Sequence, residues 1–426
     1  MFQTIVNAFK IKEVRKKIFI TILLLFIYRL GCYIPVPGVT LISEQNVFEN
    51  FTFLQIMSAV SGSALQYGTF FAMGIGPYIN ASIIIQLLAV AIPKLQMLSK
   101  QGEEGRRKLN NITRIITLIL AIAQAVGILV GFSDYVHTEL IFGNTGFLNV
   151  LSYIFLVLVY TAGAALTMWI GERITDYGIS NGVSLLIFAG LLSTAGTAII
   201  NLFVGWNDKS VWVIIGFLAA AILIFAAITA VHNAERKVTV QYAKQVKGRK
   251  MYGGQSTHIP IKVNSSGVMP LIFAFSILSF PDLITSLLGW ETSWWMRNMG
   301  TQSWPYLFLL CLLILFFSYF YNQIQFNPDD VSKSIQGNGG FIPGIRPGKP
   351  TADYLRKTSN RITLFGAIFL ALVALIPSII FKAVGGEGLA NVFSATGLLI
   401  IVSVALEFEQ ALQSQIMMKN YRGFLK

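Results

Sequence analysis

The sequence predicts an all-α integral membrane protein of ten transmembrane helices, and three observations carry that prediction. Hydrophobic residues make up 54% of the 426 residues and charged residues only 12%. With a mean hydropathy of +0.66, that balance leaves too little polar surface to clothe a water-soluble globule. Runs of roughly 20 apolar residues, the length that crosses a bilayer, recur ten times along the chain. The Lys and Arg residues collect in alternate connections between those runs, as the positive-inside rule requires of a multi-span protein.

The runs fall at 18–34, 77–92, 112–130, 150–170, 183–203, 211–231, 268–288, 306–324, 362–380 and 391–406. The first follows a basic segment and, with Leu30-Gly31-Cys32 at its end, faintly resembles a lipoprotein signal peptide. Arg29 interrupts its apolar core and nine more runs follow, so it reads as a retained first span. Of the 32 basic residues, 28 lie before the first run, after the second, fourth, sixth and eighth, or beyond the tenth. Lys209, Arg297 and Lys382 lie on the other side, together with eight of the 19 acidic residues, which sharpens the asymmetry. Both termini are therefore predicted to be cytoplasmic. Ten spans divide into five and five, and an odd number per half gives the halves opposite topology. Residues 1–203 and 204–426 are thus expected to be inverted halves with a pathway between them.

Residues 53–73, between the first and second runs, are nearly hydrophobic but broken by Gln55, Ser58, Ser61, Gly62, Ser63, Gln66 and Gly68. That composition is too polar to span lipid independently. Non-spanning backbone at membrane depth is tolerated only where protein or a water-filled cavity surrounds it, so a re-entrant segment is expected here. Gly74 and Gly76 allow a hinge before Pro77 starts the second span.

Two connections on the basic face, 232–267 and 326–361, are long, basic and punctuated by Gly and Pro. In the first, alternating β-branched residues in "KVTVQYA" precede "KGRKMYGG", which predicts a hairpin with charges at its tip. Loops of this length exceed what topology requires and suit an anionic partner such as RNA or an acidic protein face.

Much chemistry is missing. His137, His232 and His258 are scattered through connections, and no His, Cys or carboxylate cluster has metal-ligand spacing, so neither a metal nor a cofactor is implied. Cys32 and Cys311 sit in apolar runs and imply no disulfide framework. In "GIRPGKPT", Pro350 stands where a phosphate-loop hydroxyl would be, so nucleotide hydrolysis by this chain is not expected. Apart from Arg29 and groups at span ends such as Asp282 and Glu407, the spans hold no ionisable side chain. That disfavours the alternative of an ion-coupled secondary transporter of a small solute and favours a pathway sealed by branched aliphatics.

Several stretches, taken together and in order, resemble the SecY family, the channel subunits of the bacterial protein translocase. They are the opening "FKIKEVRKKI" with "YIPVPG", then "PYINASIIIQLL", "EEGRRK" and "GERITDYGISNGVSLLIFAG", and finally "YAKQVKGRKMYGGQSTHIPIKVNSSGVMP" and "FIPGIRPGKPT". The resemblance covers essentially the whole chain and implies a protein-conducting channel. Secretory polypeptides led by signal peptides would cross the bacterial inner membrane through it, and hydrophobic segments would leave sideways into lipid. It implies a pore ring at Ile79, Ile83, Ile187, Leu191, Ile272 and Ile400. Leu191 stands where many relatives have Ile. It implies a plug that includes Ser58, Ser61, Gly62, Ser63 and Gln66, and a lateral gate between spans 2/3 and 7/8 with Gln86 and Asn264 near its seam. It also implies docking of the ribosome, through rRNA and exit-site proteins, or of the ATPase SecA, on Lys244, Arg249, Lys250 and Arg346. SecE and SecG are the implied partner subunits. The spacing of Ile79 with Ile83, and of Ile187 with Leu191, puts each pair on one helix face.

Overall fold

The computed structural model describes residues 2–39, 57–58, 61–131, 136–137, 141–143, 146–204, 211–242, 245–247, 250–252, 256–264, 267–287, 294–299, 303–384 and 395–423. Each of the ten apolar runs lies on a helix. The first five helices are α2 (Lys12–Gly31), α3 (Gly76–Ala91), α5 (Gly102–Gly131), α6 (Gly146–Tyr177) and α7 (Gly182–Val204). The second five are α8 (Val211–Asn233), α9 (Met269–Leu287), α11 (Trp304–Gln325), α13 (Lys349–Val384) and α14 (Ala395–Gly423). Shorter helices α1 (Phe2–Lys10), α4 (Pro93–Lys100), α10 (Trp294–Asn298) and α12 (Pro328–Gly337) join them. Among the described residues, α5, α6, α11 and α13 are each long and apolar enough to cross a membrane alone, and α3 with α4 forms a fifth candidate bent by 107°.

Local sequence sets the ends. Pro77, Pro305 and Pro328 sit in the first turns of α3, α11 and α12, where the missing N–H has no helical partner to lose. The Ser303 hydroxyl accepts from the Tyr306 N–H at the start of α11, and the Asn327 side chain accepts from the Asp329 N–H at the start of α12. Ile92, held extended by the following Pro93, breaks α3 from α4. Several helices run past the apolar stretch. α13 begins at Lys349 and spans 36 residues, well before the run at 362–380, so the second long connection is largely helical. α5 likewise carries "EEGRRK" in its first turns, where Glu104 pairs with Lys108 at 2.8 Å.

Apolar side chains point outward as well as inward. Phe19, Ile22, Leu23 and Phe26 on α2, and Phe308, Leu312 and Phe316 on α11, are exposed on the isolated chain, a surface that only lipid or another apolar partner satisfies. The first five spans pack as α3 on α5, α5 on α6 and α6 on α7. The last five pack as α9 on α11, α11 on α13, α13 on α14 and α8 on α14. The two sets meet at two seams, α5 against α9 and α7 against α14. Between them lies the largest apolar cluster, fed by α2, α3, α6, α7, α9, α11, α13 and α14.

Close backbone approach depends on small residues. A Cβ added at Gly163 on α6 would run into the Phe70 carbonyl, whereas one at Gly196 on α7 meets nothing within 4 Å. Gly163→Ala is therefore predicted to destabilise the fold by about 1–3 kcal/mol. Its thermal melting point in detergent should fall measurably, while Gly196→Ala leaves it unchanged or slightly raised.

Candidate functional site

All six predicted ring residues belong to, or pack against, the one large apolar cluster. Ile83 on α3, Ile187 and Leu191 on α7, and Ile400 on α14 are 2%, 2%, 6% and 7% exposed. Ile79 on α3 and Ile272 on α9 pack half-buried against the same cluster. Four separate helices thus supply aliphatic side chains to that cluster. Such a surface gives an ion no ligand and can yield to an apolar chain of any sequence.

The segment after the first span closes against that cluster. Residues 53–56, 59 and 60 of the predicted re-entrant stretch lie outside the described residues. Ser58 and Ser61 are buried, 5% and 1% exposed. The helical turn there ends at Ser61 because Gly62 takes φ +68°, a left-handed conformation natural to glycine, and the Ser63 N–H donates to the Ser58 carbonyl at 2.8 Å. Ser63 and Gln66 are half-buried, and the Gln66 N–H donates to the Ser63 carbonyl at 3.1 Å. Ala64 belongs to the same cluster as Ile83, Ile187 and Leu191, while Met57 and Leu65 belong to a second cluster with Ala121, Ala125, Leu156 and Tyr160 of α5 and α6. Gly62 lies against Gly190, one residue before Leu191. The Val36 N–H donates to the Gly68 carbonyl at 3.1 Å and the Phe70 N–H to the Ile34 carbonyl at 2.9 Å, which straps the segment to the chain leaving α2. Gly74 turns the backbone into α3 at φ +52°, whereas no neighbour requires glycine at Gly76.

Among the described residues a charged side chain to which the sequence reading assigns no role, Arg29, lies against this segment at Gly62. Arg29, a turn before the end of α2, donates from Nη2 to the Ser193 hydroxyl of α7 at 2.5 Å and lies over the Tyr33 ring, 5.5 Å from its centroid. Its isolation inside an apolar span is the signal that could have drawn attention to it.

The two gate candidates differ in their hydrogen bonding. Gln86 donates to the Ser82 hydroxyl within α3 at 3.0 Å. Asn264 is 8% exposed and its side-chain oxygen has no hydrogen-bond partner among the described residues. The seam itself is an α5–α9 contact, with α3 packed behind α5.

The two long connections form one cap beside the spans. β1 (Glu235–Tyr242) pairs antiparallel with β4 (Ser256–Lys262), Glu235 opposite Lys262. At the tip, β2 (Gln245–Lys247) pairs with β3 (Lys250–Tyr252), Lys247 opposite Lys250. The predicted hairpin is thus present in two tiers. β5 (Gly340–Phe341), from the second connection, adds to the free edge of β1. Beneath this β4-β1-β5 sheet, Val238, Val240 and Ile261 pack on Ile335, Ile342 and Leu355. Lys250 lies in β3, while Lys244 and Arg249 lie outside the described residues. Arg346 is exposed on the turn between β5 and α13. Two hydroxyls fasten that turn, Thr351 to the Arg346 carbonyl at 2.8 Å and Ser332 to the Gly348 carbonyl at 2.6 Å. Among the described residues no group of three His, Cys, Asp or Glu could hold a metal ion.

These features define a class: a multi-span membrane protein with two sets of spans around an aliphatic waist, a re-entrant segment seated against it and a basic cap at one end. The comparisons with known proteins are specific. A family model described as SecY matches residues 69–409. The chain is 39% identical over 435 residues to the protein translocase subunit SecY of Staphylococcus aureus, covering 100% of this chain and 99% of that one. It is 40% identical over 443 residues to that of Corynebacterium glutamicum, covering 99% of each. Among solved structures, a protein conducting channel superposes with a TM-score of 0.68 at 18% identity, covering 94% of this chain and 92% of that one. A SecY structure concerned with the plug domain in the closed state gives 0.63 at 18% identity and the same coverage. Sec61 in a canine ribosome–channel complex gives 0.63 at 17%, again with that coverage. The chain belongs to the SecY family and takes its ten-span fold of two inverted halves.

Removing one fastening of the Arg346 turn is a direct test of the cap. Thr351→Val deletes a hydrogen bond of about 1 kcal/mol. Amide hydrogen exchange across residues 342–349 is predicted to quicken roughly fivefold, with the exchange of β1 unchanged.

Proposed function

We propose that this chain is the protein-conducting channel of a bacterial Sec translocase. It passes unfolded secretory polypeptides across the cytoplasmic membrane and releases hydrophobic segments sideways into lipid. The observation that supports the reading is the burial of Ser58, Ser61, Ala64 and Leu65, with Ala64 in the cluster that holds Ile83, Ile187, Leu191 and Ile400. A short helical turn enclosed at membrane depth, strapped at its base and joined to α3 through a left-handed glycine, is built to seat and to leave.

In this reading Ile79, Ile83, Ile187, Leu191, Ile272 and Ile400 form the constriction, and Ser58, Ser61, Gly62, Ser63 and Gln66 belong to the plug. Residues 1–203 and 204–426 are the halves that part. The α5–α9 seam is where they part, with Asn264 the better of the two gate candidates because its side-chain oxygen is buried and free to bond across an opening. Gln86 already bonds within its own helix. With both termini in the cytoplasm, the cap presents Lys244, Arg249, Lys250 and Arg346 to the ribosome or to the ATPase SecA, whose work supplies the energy. SecE would brace the halves from the side and SecG lie peripherally.

Reconstitution with SecE and SecA in vesicles tests the function: a signal-bearing polypeptide should become protected from added protease when ATP is present. Protection no greater than with protein-free vesicles would refute it. Ile400→Asn is predicted to hydrate the constriction, raise resting ion conductance and admit weaker signal sequences. Wild-type conductance and stringency would remove Ile400 from the ring. Arg346→Glu should lower SecA-driven translocation by at least tenfold, since reversing a docking charge costs about 1.4 kcal/mol or more. Melting temperature should be unchanged because the side chain is exposed.

A further inference from the structure

Arg29 stands out among the residues that neither the ring, the plug nor the cap uses. It is charged, inside the first span, and meets no carboxylate among the described residues. One side of its guanidinium is committed: Nη2 bonds the Ser193 hydroxyl and reaches toward the Tyr33 hydroxyl at 3.4 Å. The other side is not, because Nη1 is buried without a hydrogen-bond partner. What buries it is Gly62, where an added Cβ would run into Nη1 and would lie 3.2 Å from both the Cα and the carbonyl oxygen of Gly190. The glycine at the end of the plug's helical turn is therefore held between an unpaired cationic N–H group on α2 and the backbone of α7 at Gly190, one residue before Leu191.

We propose that Arg29 sets the threshold for opening, and so how strong a signal sequence must be, by opposing the seated plug. The proposal rests on reading residues 58–66 as the plug. Seating the plug strips water from Nη1 and gives nothing back, and a buried charged donor left unmet is costly. Displacing the plug opens Nη1 to water or to the carbonyls of a passing chain, so the same group is satisfied in the open state. The committed side keeps the charge fixed in place: Ser193 lies two residues beyond Leu191, so the guanidinium moves with the helix that carries two ring residues. Arg29 thus acts opposite to a latch. Packing of Ala64, Leu65 and Met57 holds the plug in, and the stranded N–H keeps that hold weak enough for a signal sequence to break.

The sign of the effect separates this from a merely structural role. Arg29→Met keeps the length and removes the stranded donor. Translocation of a substrate with a weakened signal sequence is predicted to fall on the order of tenfold, translocation with a strong signal to change little, and resting ion conductance not to rise. Arg29→Lys restores a cation and should return the threshold toward wild type. A packing residue would behave the opposite way when replaced, loosening the plug, raising conductance and relaxing signal stringency. That pattern, or unchanged stringency in Arg29→Met, overturns the proposal. If Arg29→Met does not accumulate in the membrane, Arg29→Gln, which is neutral and too short to reach Gly62, gives the same readings. Deleting residues 58–66 supplies the separate control. A deletion that raises no conductance refutes the plug reading itself. A deletion that does raise conductance, in which adding Arg29→Met still alters stringency, refutes only the role assigned to Arg29.

Discussion

The constraint on which the rest of this structure depends is that a bilayer offers no hydrogen-bonding partner to exposed backbone. Ten helices satisfy their own peptide groups and can face lipid with side chains such as Phe19, Phe26, Phe308 and Phe316. The stretch from Met57 to Ile75 cannot, because its short turns leave donors and acceptors to be met from outside. Its position follows. It is wrapped by α2, α5, α6 and α7, strapped at Gly68 and Phe70 to the chain leaving α2, and roofed by the aliphatic cluster. Irregular backbone at this depth survives only as part of the core.

The same constraint shapes the spans and the cap differently. Among the described residues the contacts between spans are mostly apolar, with a few polar links such as Arg29 to Ser193 and Asn322 to Ser359. In the cap, outside the spans, the chain builds a small apolar core of its own, Val238, Val240 and Ile261 on Ile335, Ile342 and Leu355. That core is stitched from both long connections by the β4-β1-β5 sheet. Any force applied to the Arg346 turn is passed through β5 to β1 and through Thr351 into α13, a helix of 36 residues that reaches the membrane without a break. The turn is thus tied into the fold rather than hanging loosely from it.

Membership of the SecY family and the details of this chain agree where they overlap, and the structure adds what family likeness leaves open. Arg29 is the clearest case. Sequence marks it as a lone charge among apolar neighbours. Only the packing of α2 against α7 and the turn at Gly62 shows that half of its guanidinium is met and half is stranded.

The sequence by itself determined the class, the number and approximate limits of the spans, the hairpin of the first cytoplasmic connection, and the re-entrant character of the stretch after the first span. All of these follow from composition and periodicity, which act over a few consecutive residues. It also marked the six aliphatics, through paired spacing and family resemblance. What only the tertiary structure decided are relations between distant segments. These are the burial of side chains from α3, α7, α9 and α14 in one cluster, the joining of the two connections into one sheet, the local bonding of Gln86 against the unpaired oxygen of Asn264, and the setting of Arg29 against Gly62. Such relations depend on which surfaces meet when helices pack. Helices of nearly uniform apolarity, such as α6 and α8, carry too little contrast between their faces for a single sequence to say which side turns inward.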